Sequence, residues 1–168
     1  MNSTVLVNIA RFIVLLTLQV VIFNRIDLFG FVDPYPYVLF ILLFPVNGNR
    51  AVLLLSSFFM GLMVDMFLNS GGSHAVASVC LAYFRPSFFR FSFGLSYEYQ
   101  TVRINDRLSP ERFSFILVSV VTHHFILFLL EIFRFSFILD VLIRTVLTTL
   151  FTLILSISII YLIKPAKQ

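Results

Sequence analysis

Long apolar runs, separated by short polar or proline-containing stretches, occupy most of the chain. Six can be marked, and their approximate bounds are residues 5–23, 35–46, 51–68, 72–89, 113–133 and 141–163. A straight helix that crosses a bilayer needs about 20 apolar residues, with about 17 as the lower limit. The first, third, fifth and sixth runs meet this length, whereas the second is short and the fourth contains Arg85 and Pro86. The pattern therefore predicts an all-α, polytopic membrane bundle.

The composition supports a membrane environment for the whole of residues 1–168, as a single integral membrane domain. Hydrophobic residues make up 60% of the chain and charged residues 12%, whereas a soluble domain carries about 25% charged residues. The single cysteine, Cys80, excludes an intramolecular disulfide and argues against a thiolate metal cluster. There is no basic run of the kind that binds nucleic acid.

The positions of the basic residues favour six membrane crossings with both termini in the cytoplasm. In that topology the loop formed by residues 91–112 is cytoplasmic, and eight basic residues lie inside: Arg50, Arg85, Arg90, Arg103, Arg107, Arg112, Lys164 and Lys167. Three lie outside: Arg25, Arg134 and Arg144. This asymmetry agrees with the positive-inside rule. A four-span alternative, in which the second and fourth runs do not cross, keeps the basic loop inside but places Arg50 outside. The loop itself is either a solvated connector or a partner-binding element.

A carboxylate in the third run is the first candidate for a functional residue. Asp65 lies in a segment apolar enough to cross a bilayer, where a charge costs a few kcal/mol and needs a partner. Gly61 lies four residues earlier, on the same helix face, so a neighbouring helix can approach closely and meet the carboxylate. We predict a helix-packing or partner contact at Gly61 and Asp65, and an intramembrane ion pair between Asp65 and Arg144. The alternative is that Asp65 extends to the membrane surface.

The fifth run carries three further polar candidates, His123, His124 and Glu131. Adjacent helical residues point about 100° apart, so the two histidines are poorly placed to bind one ion together; metalloprotease helices space their histidines as H-E-x-x-H. We predict that His123, His124 and Glu131 make polar contacts between helices. No motif of a nucleophile elbow, a zinc protease or a P-loop occurs. The sequence therefore predicts no enzyme activity, no catalytic residue, no cofactor and no metal site; an intramembrane enzyme is the remote alternative.

Several of these features together resemble the MreD family, the small membrane subunit of the bacterial cell-elongation (Rod) machinery. They are the chain length, the Pro34 and Pro36 entry into a short second run, and the C-terminal apolar helix with a short basic tail. The most specific is Phe59-Met-Gly61-Leu-Met-Val-Asp65, which is similar to the family pattern G-L-x-x-D and precedes a small-residue stretch beginning at Gly71. Only Gly61 and Asp65 are carried over as motif residues. The resemblance does not extend to the loop from Tyr97 to Arg107.

The resemblance implies a non-catalytic scaffold or regulator in the bacterial cytoplasmic membrane, which maintains rod shape and side-wall peptidoglycan synthesis. Its implied direct partner is MreC, and through MreC it acts on MreB, the SEDS glycosyltransferase and the elongation transpeptidase; membrane lipid is the other partner and nucleic acid is not one. The implied fold resembles the six-helix substrate-binding subunit of energy-coupling-factor transporters. That relationship supplies the main rival function, a vitamin-type small-molecule-binding subunit of a membrane transporter.

Overall fold

The computed structural model of the protein describes residues 3–28, 30, 32–94 and 108–163. Within them the chain forms six α-helices: α1 (Ser3–Val21), α2 (Leu39–Leu43), α3 (Arg50–Leu68), α4 (Ser73–Phe93), α5 (Pro110–Ile132) and α6 (Ile138–Ile163). Short 3₁₀ turns cover Phe23–Arg25, Pro36–Val38 and Phe135–Phe137. The described residues contain no strand, only an isolated bridge between Leu28 and Val32. The prediction of an all-helical fold is confirmed.

Four helices are long and apolar enough to cross a membrane: Val5–Arg25, Arg50–Leu68, Pro110–Ile132 and Ile138–Ile163. They coincide with the first, third, fifth and sixth apolar runs. The fourth run also forms a helix of sufficient length, because α4 has 21 residues, but it is less apolar and carries Arg85 and Arg90. The protein is therefore a helical bundle with four membrane-length apolar helices.

Consecutive long helices pack against each other as antiparallel neighbours, α3 against α4, α4 against α5 and α5 against α6. We call the end of the bundle where α1, α3 and α5 begin the lower end, and the end where α4 and α6 begin the upper end. A tight turn joins α3 to α4 at the upper end. It places Asn69, Gly71 and Gly72 at positive φ, and the two glycines adopt this conformation without the steric cost of a side chain.

The connection between α4 and α5 is shorter than the predicted loop of residues 91–112. Helix α4 continues to Phe93, and α5 begins at Pro110, where the Ser109 side chain accepts a hydrogen bond from the backbone N–H of Arg112. A capping serine followed by proline is a typical helix start. Residues 95–107, which include Tyr97, Arg103 and the rest of the predicted partner-binding element, lie outside the described residues.

The second apolar run lies in the centre of the bundle instead of on its surface. All residues from Pro34 to Phe44 are buried, and we call this segment the central element. Pro36 starts the 3₁₀ turn, α2 follows for five residues, and the chain becomes extended at Phe44, before Pro45. Because this element is short and packed on every side, it forms the core on which α1, α3, α4 and α6 assemble.

Polar side chains from the surrounding helices satisfy both ends of this central element. At the upper end, Gln19 of α1 donates to the carbonyl of Pro34 at 3.1 Å and accepts from the backbone N–H of Tyr37 at 3.4 Å. At the lower end, Arg11 of α1 donates to the carbonyl of Leu43 at 3.0 Å. The backbone of a short helix cannot satisfy its own terminal groups, and the hydrocarbon core of a bilayer has no water to do so. Gln19 and Arg11 therefore provide hydrogen bonds that the terminal backbone groups of the central element need inside the bundle.

Two further side chains complete this arrangement. Thr152 of α6 accepts from the backbone N–H of Tyr35 at 3.1 Å. Arg85 of α4 is buried and donates to the carbonyls of Leu42, at 3.3 Å, and of Phe44. A guanidinium at the carboxyl end of a helix also meets the negative end of the helix dipole. The central element is thus held by α1, α4 and α6 together.

Candidate functional site

The Gly61–Asp65 pair joins α3 to the beginning of α4. Gly61 is buried, and a Cβ atom at this position would lie 2.4 Å from the carbonyl oxygen of His74 and 2.6 Å from the backbone nitrogen of Ala75. Such distances are far below van der Waals contact, so only glycine allows the two backbones to approach this closely. The close approach brings the first turn of α4 within reach of Asp65, which lies one helical turn after Gly61.

The Asp65 carboxylate acts as the N-terminal cap of α4. Its Oδ1 accepts from the backbone N–H of His74 at 3.0 Å, and its Oδ2 accepts from the backbone N–H of Ala75 at 2.8 Å. These are the N–H groups that a capping side chain ordinarily satisfies, and the residue before α4 is Gly72, which has no side chain to do so. A carboxylate is also favoured at the positive end of a helix dipole. The motif therefore has a clear structural role within one chain.

Two side chains of the turn complete the shell around this carboxylate. Ser70 donates its hydroxyl to Oδ1 at 2.5 Å, and His74 Nδ1 lies 3.1 Å from the same oxygen and 3.0 Å from the Ser70 hydroxyl. A carboxylate only accepts hydrogen bonds, so the proton of the His74 ring is on Nδ1. The partners of Asp65 are thus a buried histidine, a serine and two backbone groups. The predicted ion pair between Asp65 and Arg144 is absent from the described residues, because these nearer groups already surround the carboxylate.

His123 and His124 are both fully buried and contact different elements. His123 Nε2 is hydrogen-bonded to the hydroxyl of Tyr37 at 2.8 Å, which links α5 to the central element. His124 Nδ1 is hydrogen-bonded to the Thr149 hydroxyl at 3.1 Å, which links α5 to α6. The two rings therefore point to different neighbours, as their adjacent positions on a helix require.

The three histidines of the chain converge with two tyrosines in the upper half of the bundle. Neighbouring rings form a closed circuit, with centroids 6.0 Å apart from His74 to Tyr37, 5.5 Å from Tyr37 to His123, 5.4 Å from His123 to His124, 5.8 Å from His124 to Tyr35, and 5.0 Å from Tyr35 back to His74. We call these five side chains the ring cluster. All five are buried, so the cluster is a packed polar core in contact with four elements of the bundle.

The ring cluster is linked to its neighbours by hydrogen bonds through Tyr37, His123 and His124. Three ring nitrogens, Nε2 of His74, Nδ1 of His123 and Nε2 of His124, have no hydrogen-bond partner among the described residues. The described residues nevertheless contain no group of three or more His, Cys, Asp or Glu side chains that could hold a metal ion. The cluster has one carboxylate at its edge, Asp65. Its evident effect is to hold α5, α6, the central element and the α3–α4 turn together.

Glu131 and Arg144 form no hydrogen bond with the ring cluster, but both charges act on its member Tyr35, and that of Glu131 also acts on His74. Glu131, near the end of α5, has an exposed side chain and forms no hydrogen bond or ion pair with a described residue, so its predicted contact between helices is not seen there. Arg144 lies on α6 beside a cavity at the upper end. Close by, burial raises the pKa of Asp33 in the loop before the central element; the charge of Asp27 adds to this, whereas a hydrogen bond with Tyr35 and the charge of Arg144 act in the opposite direction.

The structure identifies site residues that the sequence did not single out. The sequence shows Arg85 only as a charge within an apolar run, and it does not mark Arg11, Gln19, Tyr37 or His74 as members of a core. The signal that points to them is that each is a polar side chain in an apolar run, which must find a partner inside the bundle. The nature of the partner carries no sequence signal, because in most cases it is a backbone carbonyl or N–H group.

The chain was compared with family models, curated proteins and solved structures, and no match was found.

Proposed function

We propose that the protein is a non-catalytic scaffold subunit of the MreD type, which crosses the bacterial cytoplasmic membrane six times with both termini in the cytoplasm. In this topology the lower end of the bundle faces the cytoplasm, and α4 and the central element supply the two crossings beyond the four membrane-length apolar helices. The proposed fold resembles the substrate-binding subunit of energy-coupling-factor transporters. The proposed partner is MreC, which links the protein to side-wall peptidoglycan synthesis.

The observation that carries this proposal is the unequal burial of the membrane-length helices. Only 11% of the apolar window of α1 is buried inside the bundle, compared with 33% for α3, 44% for α5 and 33% for α6. Two side chains of α1, Leu15 and Gln19, are buried, whereas Ile9, Ile13 and Val14 are exposed. A helix that its own bundle leaves so uncovered offers an apolar face to a membrane helix of a partner, which is what a scaffold requires.

The structural use of the Gly61–Asp65 pair supports the same proposal. The pair carries the resemblance to the family, and its carboxylate is occupied by the beginning of α4 and by the α3–α4 turn. It therefore faces neither a substrate nor a solvent-filled cleft. A motif that fixes the packing of two helices is consistent with a protein whose function depends on a rigid surface.

The test is site-specific crosslinking in cells, with a variant of the protein from which Cys80 has been removed. Cysteines introduced at Ile9 and Ile13 on the exposed face of α1 should crosslink to the membrane helix of MreC, and a cysteine at Leu150, an exposed position of α6, serves as the control. Equal crosslinking at all three positions, or none at α1, would contradict the proposal. A thermal shift of the purified protein by a member of a vitamin panel would instead favour the transporter-subunit alternative.

A further inference from the structure

A cavity of about 600 Å³ opens at the upper end of the bundle, between the end of α5 and the beginning of α6. Its volume lies within the usual range of small-molecule sites. The residues that form its wall are Gly30, Ile132, Arg134, Phe137, Asp140, Ile143 and Arg144. None of them belongs to the ring cluster or to the Gly61–Asp65 pair, so the cavity is a separate feature of the molecule.

The two arginines at this cavity come from different elements. Arg134 follows the end of α5, and Arg144 lies on α6, one turn after Asp140 and two turns after Phe137. Residues at these spacings share one face of a helix, and helical side chains point back towards the helix start. Arg134 and Arg144 thus line the same cavity at the upper end of the bundle.

Neither guanidinium has a partner among the described residues. No hydrogen bond from the Arg134 or Arg144 side chain to a described residue occurs, and no carboxylate of these residues lies within ion-pair distance of either. Asp140 is placed at the i, i+4 spacing that often gives a helical ion pair with Arg144, but the pair does not form. The charges of Asp33 and Glu131 act on Arg144, but neither carboxylate forms an ion pair with it. Two guanidinium groups that make no hydrogen bond beside one cavity favour a bound anion, because a phosphate can accept charge-assisted hydrogen bonds from both.

Apart from the two arginines, Asp140 and Gly30, the wall is apolar. Ile132, Phe137 and Ile143 line the cavity, and Phe137 and Ile143 are exposed. A ligand that pairs with the two arginines and also packs against the apolar side chains has an anionic group next to hydrocarbon. Arginine pairs with phosphate through two parallel hydrogen bonds, and phosphate next to hydrocarbon is the chemistry of a phospholipid at the membrane surface.

We propose that this cavity binds the phosphate of a membrane phospholipid between Arg134 and Arg144, with the glycerol and the start of the acyl chains against Ile132, Phe137 and Ile143. Asp140 is placed to accept from an ammonium group where the headgroup carries one. The site does not depend on the proposed scaffold function, because it uses neither α1 nor the Gly61–Asp65 pair.

The experiment is native mass spectrometry of the full-length protein, purified in detergent and titrated with phosphatidylglycerol, phosphatidylethanolamine or diacylglycerol. Both phospholipids should bind, and diacylglycerol, which lacks the phosphate, should bind at least about ten-fold more weakly. The double variant Arg134→Gln/Arg144→Gln should lose most of the phospholipid adducts. The matched control is Arg25→Gln, an exposed arginine at the same end of the bundle that does not line the cavity, and it should bind as the wild type does.

Further arms separate a lipid from a soluble anion and from a failure to fold. Inorganic phosphate and glycerol 3-phosphate should give no saturable binding; binding of either as strong as that of the phospholipids would overturn the lipid assignment. Equal binding of diacylglycerol, or unchanged binding by the double variant, would overturn the phosphate site. If the double variant does not fold, Arg134→Lys and Arg144→Lys retain the charge but not the two parallel hydrogen bonds, and each should weaken binding about three-fold or more; wild-type binding by both would overturn the proposal.

Discussion

Replacement of Asp65 by alanine removes the cap of α4 and provides the strongest test of how the bundle is held together. The carboxylate accepts from two backbone N–H groups at 3.0 and 2.8 Å and from the Ser70 hydroxyl at 2.5 Å, and it also contacts the His74 ring. A buried N–H group left without an acceptor costs about 1–3 kcal/mol. Two such groups are left by the substitution, whereas the cost of burying the carboxylate itself is relieved.

We expect Asp65→Ala to lower the free energy of unfolding by about 2–5 kcal/mol, because two buried N–H groups each lose their acceptor and the relief of burying the carboxylate offsets part of this. Asp65→Asn keeps an oxygen acceptor for one backbone N–H, so it should lose about 1–2 kcal/mol. Equilibrium unfolding in mixed micelles, followed by helical circular dichroism, measures both. Asp27→Ala is the control, because Asp27 is an exposed acidic residue of a loop, and its effect should stay within about 0.5 kcal/mol.

Double-mutant cycles identify the partner of the carboxylate. His74→Ala should be coupled to Asp65→Ala by about 0.5–3 kcal/mol, because the two side chains are in contact. Arg144→Leu should be additive with Asp65→Ala within about 0.5 kcal/mol, because Arg144 is not among the groups that contact Asp65. Wild-type stability of Asp65→Ala, or strong coupling to Arg144 with none to His74, would refute the reasoning.

Three other perturbations give distinct expectations. Gly61→Ala places a Cβ 2.4 Å from the carbonyl oxygen of His74, so the unfolding free energy should fall by about 1–3 kcal/mol; an unchanged unfolding curve would contradict the close approach. Tyr37→Phe removes the 2.8 Å hydrogen bond to His123 and should cost about 1–3 kcal/mol, whereas Tyr83→Phe, at an exposed tyrosine, should cost much less. Asp33→Asn should raise the unfolding midpoint at pH 7 but not below pH 3.8, the ordinary pKa of the group. The folded protein raises that pKa through burial and the charge of Asp27, so it binds more protons than the unfolded chain, and stability is lost as the pH rises through the folded-state pKa. An equal effect of Asp33→Asn at both pH values would show that the titration of Asp33 is not involved.

The sequence predicts those parts of the structure that follow from helical spacing and apolar length. Four apolar runs are long enough to cross a bilayer, and the structure forms a helix over each. Gly61 and Asp65 lie four residues apart, and both are next to the beginning of α4. Both predictions use quantities that depend only on nearby positions in the chain. These quantities are the rise of a helix and the helix face on which a residue lies.

The parts that the sequence does not predict depend on contacts between distant residues. His74 follows Asp65 by nine residues across a turn, so its ring meets the carboxylate only after Gly71 and Gly72 adopt positive φ. The second apolar run is equally consistent with a short span and with a buried core element, because both are apolar. Arg85 is bonded to backbone carbonyls, and every residue type presents a carbonyl, so no partner could be read from the sequence.

The proposed scaffold function and the stability of the core can be separated because α1 is joined to the bundle differently from the other helices. Its polar attachments to the rest of the bundle include Arg11 and Gln19, and both hold the central element, whereas Asp65 and Gly61 act on α3 and α4. In Asp65→Ala, the amount of bound MreC should therefore fall only in proportion to the amount of folded protein. Ile9→Ala with Ile13→Ala, on the exposed face of α1, should weaken co-purification with MreC while the unfolding midpoint changes little. If the two kinds of variant lose MreC equally at equal amounts of folded protein, the partner surface is not confined to α1 and includes the α3–α4 joint.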